Sequence, residues 1–125
     1  MPRVIRITAG GVSAEAELNG SSSADALWEA LPITGRANTW GEEIYFSIPV
    51  DDDEAPDARA DVEVGEIAYW PPGSAFCIFF GRTPASTGDA PRAASAVNPL
   101  GRVVGDAGVF GAVPDGEEVR LQRVE

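Results

Sequence analysis

Two adjacent glutamates, Glu42 and Glu43, stand between a tryptophan and an aromatic run in the stretch Trp40-Gly41-Glu42-Glu43-Ile44-Tyr45-Phe46. Paired carboxylates can do general acid–base work when both reach the same atoms. Neighbouring residues of a strand point to opposite faces, so these two cannot share a site. The alternation puts Glu43 and Tyr45 on one side and Ile44, Phe46 and Ile48 on the other. Further on, Asp51, Asp52, Asp53 and Glu54, followed by Asp57 and Asp61, could gather a cation. A calcium loop needs set spacings and a glycine at its sharp turn, and this run has no such glycine. A solvated acidic loop is the expected reading, with no metal.

Cys77 is the one cysteine, set inside the apolar run AFCIFFG, Ala75 to Gly81. An internal disulfide is thereby excluded, and the thiol reads as buried and inert. The chain has no histidine, which removes Ser–His and Cys–His catalysis and the common zinc sites. The glycine-rich stretch Gly105 to Gly116 lacks the lysine and following helix of a phosphate-binding loop and reads as turns. No cofactor is expected.

The charge balance narrows the partners. Twenty acids face nine bases for a net charge of −11, and every base is arginine. Such a field repels nucleic acid and anionic membrane, so neither is an expected partner. Arginine in place of lysine also fits a GC-rich genome. Together with a pI near 4.2 it fits a protein of a salt-rich cytoplasm, the source a halophilic archaeon. The apolar runs stay well short of the ~18 residues that span a bilayer, and MPRVIRITAGG lacks the apolar core of a signal peptide. A cytoplasmic protein is expected.

The elements that must position these residues are mostly strands. Arg3 to Ala9 and Val12 to Leu18 alternate around a Gly-Gly turn, a hairpin pattern. Ala24, Leu27, Trp28 and Leu31 recur at helical spacing, with Ser22 and Asp25 resembling a capping box and Pro32 ending the helix. Trp28 is expected to anchor that helix to a sheet. Strands follow over Ile33 to Trp40, Glu43 to Ile48, Val62 to Trp70 and Ala75 to Phe80. A Pro- and Asp-rich loop fills 49 to 61, and a second long loop runs from Arg82 to Ala96. Short strands near Val103 and over Glu117 to Val124 close the chain. About eight strands that do not alternate with helices predict an all-β barrel, one domain over 1–125.

Three stretches carry a resemblance: Asn38 to Phe46, Gly65 to Pro84, and Asn98 to Asp106. With them the chain resembles the small cyclophilin-like proteins of bacteria and archaea, a reduced form of the peptidyl-prolyl isomerase barrel. The order of elements agrees, with Ser23 to Pro32 where a cyclophilin places its first helix. The resemblance implies an eight-stranded cyclophilin-like barrel with one or two short helices and a groove on one outer side. In active cyclophilins a catalytic arginine follows a Phe-His pair on the strand after the first helix. Here that region is Trp40 to Phe46, with no arginine or histidine and two carboxylates instead.

That departure has a sign. Prolyl isomerisation has a barrier of ~18–20 kcal/mol, and a cation lowers it by helping the amide nitrogen become pyramidal. A carboxylate acts the other way. The expected function is therefore a small-molecule or peptide-binding module with weak or no isomerase activity. An atypical prolyl isomerase, with Arg82 supplying the cation, is the alternative. An accessory domain of an amide- or lactam-processing complex is a further one. The expected groove consists of Trp40, Glu43, Tyr45, Trp70, Phe76, Phe80 and Arg82, with a Glu43–Arg82 bridge at its rim. Asn98, just before Pro99, is expected to tie a loop through its side-chain amide.

Overall fold

The structure, a computed structural model, describes residues 3–124 of the chain. Over these residues the strands are β1 Val4–Ala9, β2 Val12–Leu18, β3 Ile33–Arg36, β4 Asn38–Thr39, β5 Glu43–Ser47, β6 Arg59–Asp61, β7 Glu66–Trp70, β8 Ala75–Phe79, β9 Arg92–Val104 and β10 Glu118–Arg123. One α-helix, α1 Ser22–Ala30, and two 3₁₀ segments, Pro71–Gly73 and Ala107–Ala112, complete the set. No helix among the described residues is long and apolar enough to cross a membrane.

The strands form one sheet in the order β3-β10-β1-β2-β9-β7-β8-β5-β4, with β6 paired to β9 off this path. The two ends of the order are consecutive in the chain, because only Ala37 separates β3 from β4. Ala37 is held from across the gap: its N–H donates to the Glu117 carbonyl at 2.8 Å and its carbonyl accepts from the Gly116 N–H at 2.7 Å. One extended segment thus pairs with β10 first and with β5 afterwards, and the sheet curls back on itself. This is the expected all-β, cyclophilin-like barrel architecture, built from ten strands, several very short, where the patterns predict about eight.

The inward faces read as the alternation predicts. Ile5 and Ile7 of β1, Ile44 and Phe46 of β5, and Val119 and Leu121 of β10 all lie in one buried core. Helix α1 adds Ala24 and Leu27, its C-cap Leu31 follows, and the second 3₁₀ segment adds Ala107 and Phe110. Ser21, not Ser22, caps the helix, its Oγ accepting the Ala24 N–H at 3.2 Å. The run of three serines leaves the choice open by one residue. Trp28 is half-buried against the core edge, with the Arg123 guanidinium 4.8 Å and that of Arg3 5.4 Å from its ring. It therefore anchors the helix from the rim through two cation–π contacts.

Two strands lie where the sequence reads as loop. β6 falls at the end of the acidic loop, and β9 begins at Arg92, inside the predicted Arg82–Ala96 loop. Ala, Ser and Arg have little preference for strands, and it is pairing with β6, continued by that of Asn98 onward with β7, that extends this stretch. The pairing of β9 with β7 slips between Ile67 and Ala68, close to Gly101. The first half of β9 and β6 then lie over the outer face of β7 and β8. There they close a second, smaller core of Val62, Ala68, Ala75, Cys77, Phe79, Ala93 and Val97. Strand β8 is thus buried on both faces, all five residues of it. That is why its sequence is apolar throughout and does not alternate.

Candidate functional site

The outer core leaves a pocket of about 240 Å³ at its edge, lined by Trp40, Glu43, Tyr45, Trp70, Ala93, Ala94 and Val97. Each element has a separate task. Strand β5 supplies Glu43 and Tyr45 two residues apart on the outer face, as its alternation requires. Trp40 precedes the β4–β5 turn, where its N–H donates to the Glu43 carbonyl at 3.0 Å and Gly41 takes a φ of +61°. Trp40 and Glu43 thus reach the pocket from the two sides of one turn. Trp70 ends β7, and its indole N–H donates to Ser95 Oγ at 2.7 Å. This bond ties it to β9 and leaves only its ring to offer. The β9 wall contributes small apolar side chains.

Glu43 is the unusual member. It is only 5% exposed, and its Oε1 is buried without a hydrogen-bond partner. Buried carboxylates normally find cations or several donors, because desolvating the charge is costly. Among the described residues the other buried glutamate, Glu66, also 5% exposed, shows the normal solution. Arg59 donates to its two oxygens at 3.0 and 2.7 Å, and the Glu63 N–H adds a third bond at 2.9 Å. For Glu43 the nearby thiol of Cys77, which donates to the Ala75 carbonyl at 3.9 Å, offsets little, and burial pushes the carboxyl up to about 7. At neutral pH the group sits between its two states, able to donate as an acid or to accept as an anion. The same burial, reinforced by the neighbouring carboxylate, pushes the Cys77 thiol up. The thiol stays protonated and is no nucleophile.

Four of the seven residues expected at the groove, Trp40, Glu43, Tyr45 and Trp70, come together around this pocket. The other three do not line it. Phe76 pairs with Phe46 across β5 and β8 and is fully buried in the inner core, its ring 5.6 Å from that of Phe46. Phe80 turns to the inner core and packs on Phe110 at 6.5 Å. Arg82 is exposed, and no ion pair joins it to Glu43 among the described residues. Period alone could not assign faces in β8, since both faces are apolar. Ala93, Ala94 and Val97 carry no chemical signal in the sequence, and only the fold brings them to the pocket.

The acidic loop has a structural task. Tyr69 OH donates to the Val50 carbonyl at 2.7 Å and accepts the Asp52 N–H at 3.2 Å. Ser23 Oγ donates to the Asp52 carboxylate at 2.7 Å. Asn98 is 1% exposed and reaches Ser23 Oγ, the Asp53 carbonyl and the Ala55 N–H at 3.0, 2.9 and 2.8 Å. The asparagine does tie a loop by its side-chain amide, and that loop is the acidic one.

A curled antiparallel sheet with a side pocket on its outer face defines a class of small β-barrel domains. The chain belongs to the cyclophilin-like family, whose model matches residues 3–122. No curated protein matches it. Among solved structures it is similar to a hypothetical protein from Archaeoglobus fulgidus, determined in solution. The two are 39% identical with a TM-score of 0.83, over 98% of this chain and 95% of that one.

Proposed function

We propose that this cyclophilin-like domain is a binding module for a small molecule or a single side chain of a peptide, with little or no prolyl isomerase activity. The observation that carries the reading is Glu43. A buried carboxylate without a protein partner, at a pocket walled by three aromatic side chains, is a costly arrangement that a ligand would relieve. The volume, about 240 Å³, lies below the ~300–1,000 Å³ of sites for drug-sized ligands. It favours a compact ligand over an extended peptide.

The same pocket speaks against isomerase chemistry. It offers a carboxyl group where a cation would be needed, and Arg82 does not line it. A protease-coupled assay on an Ala-Pro peptide is expected to show no rate above background. A clear rate that Arg82→Ala abolishes would overturn the reading. Saturation-transfer NMR of a fragment library against the whole chain tests binding directly. Hits that broaden the signals of Tyr45 and Trp70 support the module, and a library without hits at that pocket counts against it.

The surface suggests the setting. A net charge of −11 without lysine is suited to a salt-rich cytoplasm and disfavours nucleic acid and anionic membrane as partners.

A further inference from the structure

We propose that the ligand is a small organic ammonium ion, held by the Glu43 carboxylate within the aromatic walls of Trp40, Tyr45 and Trp70. This rests on the binding-module reading above and names the class of ligand. The first ground is the contrast between the two buried glutamates. Glu66 receives its cation from within the chain, as the Arg59 guanidinium. Glu43 is equally buried and receives none, so the matching cation has to come from outside.

The second ground is the wall. Aromatic rings attract cations through their quadrupoles, most strongly tryptophan, and the attraction grows when the cation is desolvated. Two of the chain's three tryptophans are at this pocket. The third, Trp28, already holds two guanidinium groups at 4.8 and 5.4 Å. A neutral polar ligand would fare poorly here. The β9 side presents Ala93, Ala94 and Val97 without side-chain donors or acceptors, and the Trp70 N–H is taken by Ser95. An alkylated ammonium needs little more than one carboxylate and a ring of aromatic faces. The overall charge of −11 also draws cations toward the surface.

Binding should then be linked to release of the Glu43 proton. The groups around it leave that linkage simple. β8 brings Cys77, whose thiol remains neutral, and β5 itself brings Tyr45. At the head of β9, Arg92 is paired with Asp61 at 3.6 Å.

The test uses tetramethylammonium, choline and benzylamine, each beside a neutral isostere in which carbon replaces the charged nitrogen. Tryptophan fluorescence and amide NMR shifts on the whole chain give the affinities at pH 6 and pH 8. At least one cation is expected to bind at Glu43 and Tyr45, tenfold or more tighter than its isostere. Its affinity should be about tenfold weaker at pH 6 than at pH 8, with a proton released on binding at pH 6. Glu43→Gln should remove the preference for the cation while leaving a cooperative melt, and Trp70→Leu should weaken binding without removing the pH dependence. Isosteres that bind as tightly as their cations, or a Glu43→Gln variant that binds cations unchanged, would overturn the inference and leave the binding module standing. Silence from all three cations while fragments occupy the pocket has the same consequence. If neither cations nor any fragment bind, both readings fall.

Discussion

Glu43 and Cys77 stand diagonally across the β5–β8 pair, since Tyr45 is opposite Cys77 and Glu43 opposite Phe79, yet the Cys77 thiol donates to the Ala75 carbonyl at 3.9 Å and Glu43 Oε1 is left buried without a hydrogen-bond partner. The carboxyl is held at the edge of the outer core with much of its desolvation uncompensated. The consequence is a titration inside the physiological range. The folded chain holds the Glu43 proton up to about pH 7, while an exposed glutamate releases it near 4.5. Between those values the native state binds more protons than the unfolded one, so stability falls as pH rises through that window. The size is about 3 kcal/mol. Glu43→Gln, neutral at every pH, should match the wild type in urea denaturation at pH 4.5 and exceed it by about 2–3 kcal/mol at pH 8. A variant that is less stable than wild type at pH 8 would show that the carboxylate has a partner after all.

Asn98 should be among the costliest single losses outside the two cores. It joins α1 to the acidic loop through three hydrogen bonds, at 2.8 to 3.0 Å, from a position 1% exposed. Truncation leaves the Asp53 carbonyl and the Ala55 N–H without this partner. Asn98→Ala is expected to cost about 2–4 kcal/mol in urea denaturation. Faster proteolysis in the segment from Asp51 to Asp57 should accompany it. A loss under about 0.5 kcal/mol would mean that Tyr69 and Ser23 hold the loop by themselves.

Gly101 of β9 pairs with Leu18 of β2 and has no room for a side chain. A Cβ there would stand 1.9 Å from the Glu17 carbonyl oxygen, on a residue whose φ is +150°. Since the obstacle is backbone, it cannot be rotated aside. Gly101→Ala should cost about 2–3 kcal/mol through displacement of the two strands. Amide signals from Glu17 to Asn19 should shift with it. An unchanged spectrum would show that the strands have room to separate.

Salt gives a test of the surface. With a net charge of −11, self-repulsion should fall as the ions screen it, within a Debye length of about 3 Å at 1 M. The melting temperature is expected to rise steadily from low salt to molar KCl. A melting temperature indifferent to KCl would overturn the proposed salt-rich setting.

Several elements are legible in the order of residues alone. The hairpin of β1 and β2, helix α1, and the opposite orientations of Glu43 and Ile44 all follow from periodicity, because a strand repeats every two residues and a helix every 3.6. The pocket is legible in part. Trp40, Glu43, Tyr45 and Trp70 announce themselves as aromatic or charged residues at strand ends and outward positions. Phe76 and Phe80 announce themselves equally and are elsewhere, since β8 is covered on both sides and its sequence carries no period.

Composition and local order are enough for the all-β class, the single cysteine without a histidine to activate it, and the absence of arginine from Trp40 to Phe46. They are not enough to make a strand of Arg92 to Val97 or to lay it across the outer face of β7 and β8. That long-range pairing is a product of the folded chain, and it buries Glu43 and completes the pocket. It also leaves Glu66 with an arginine and Glu43 with none. Burial and partnership depend on residues distant in the chain, so a glutamate's pKa cannot be read from its neighbours in sequence.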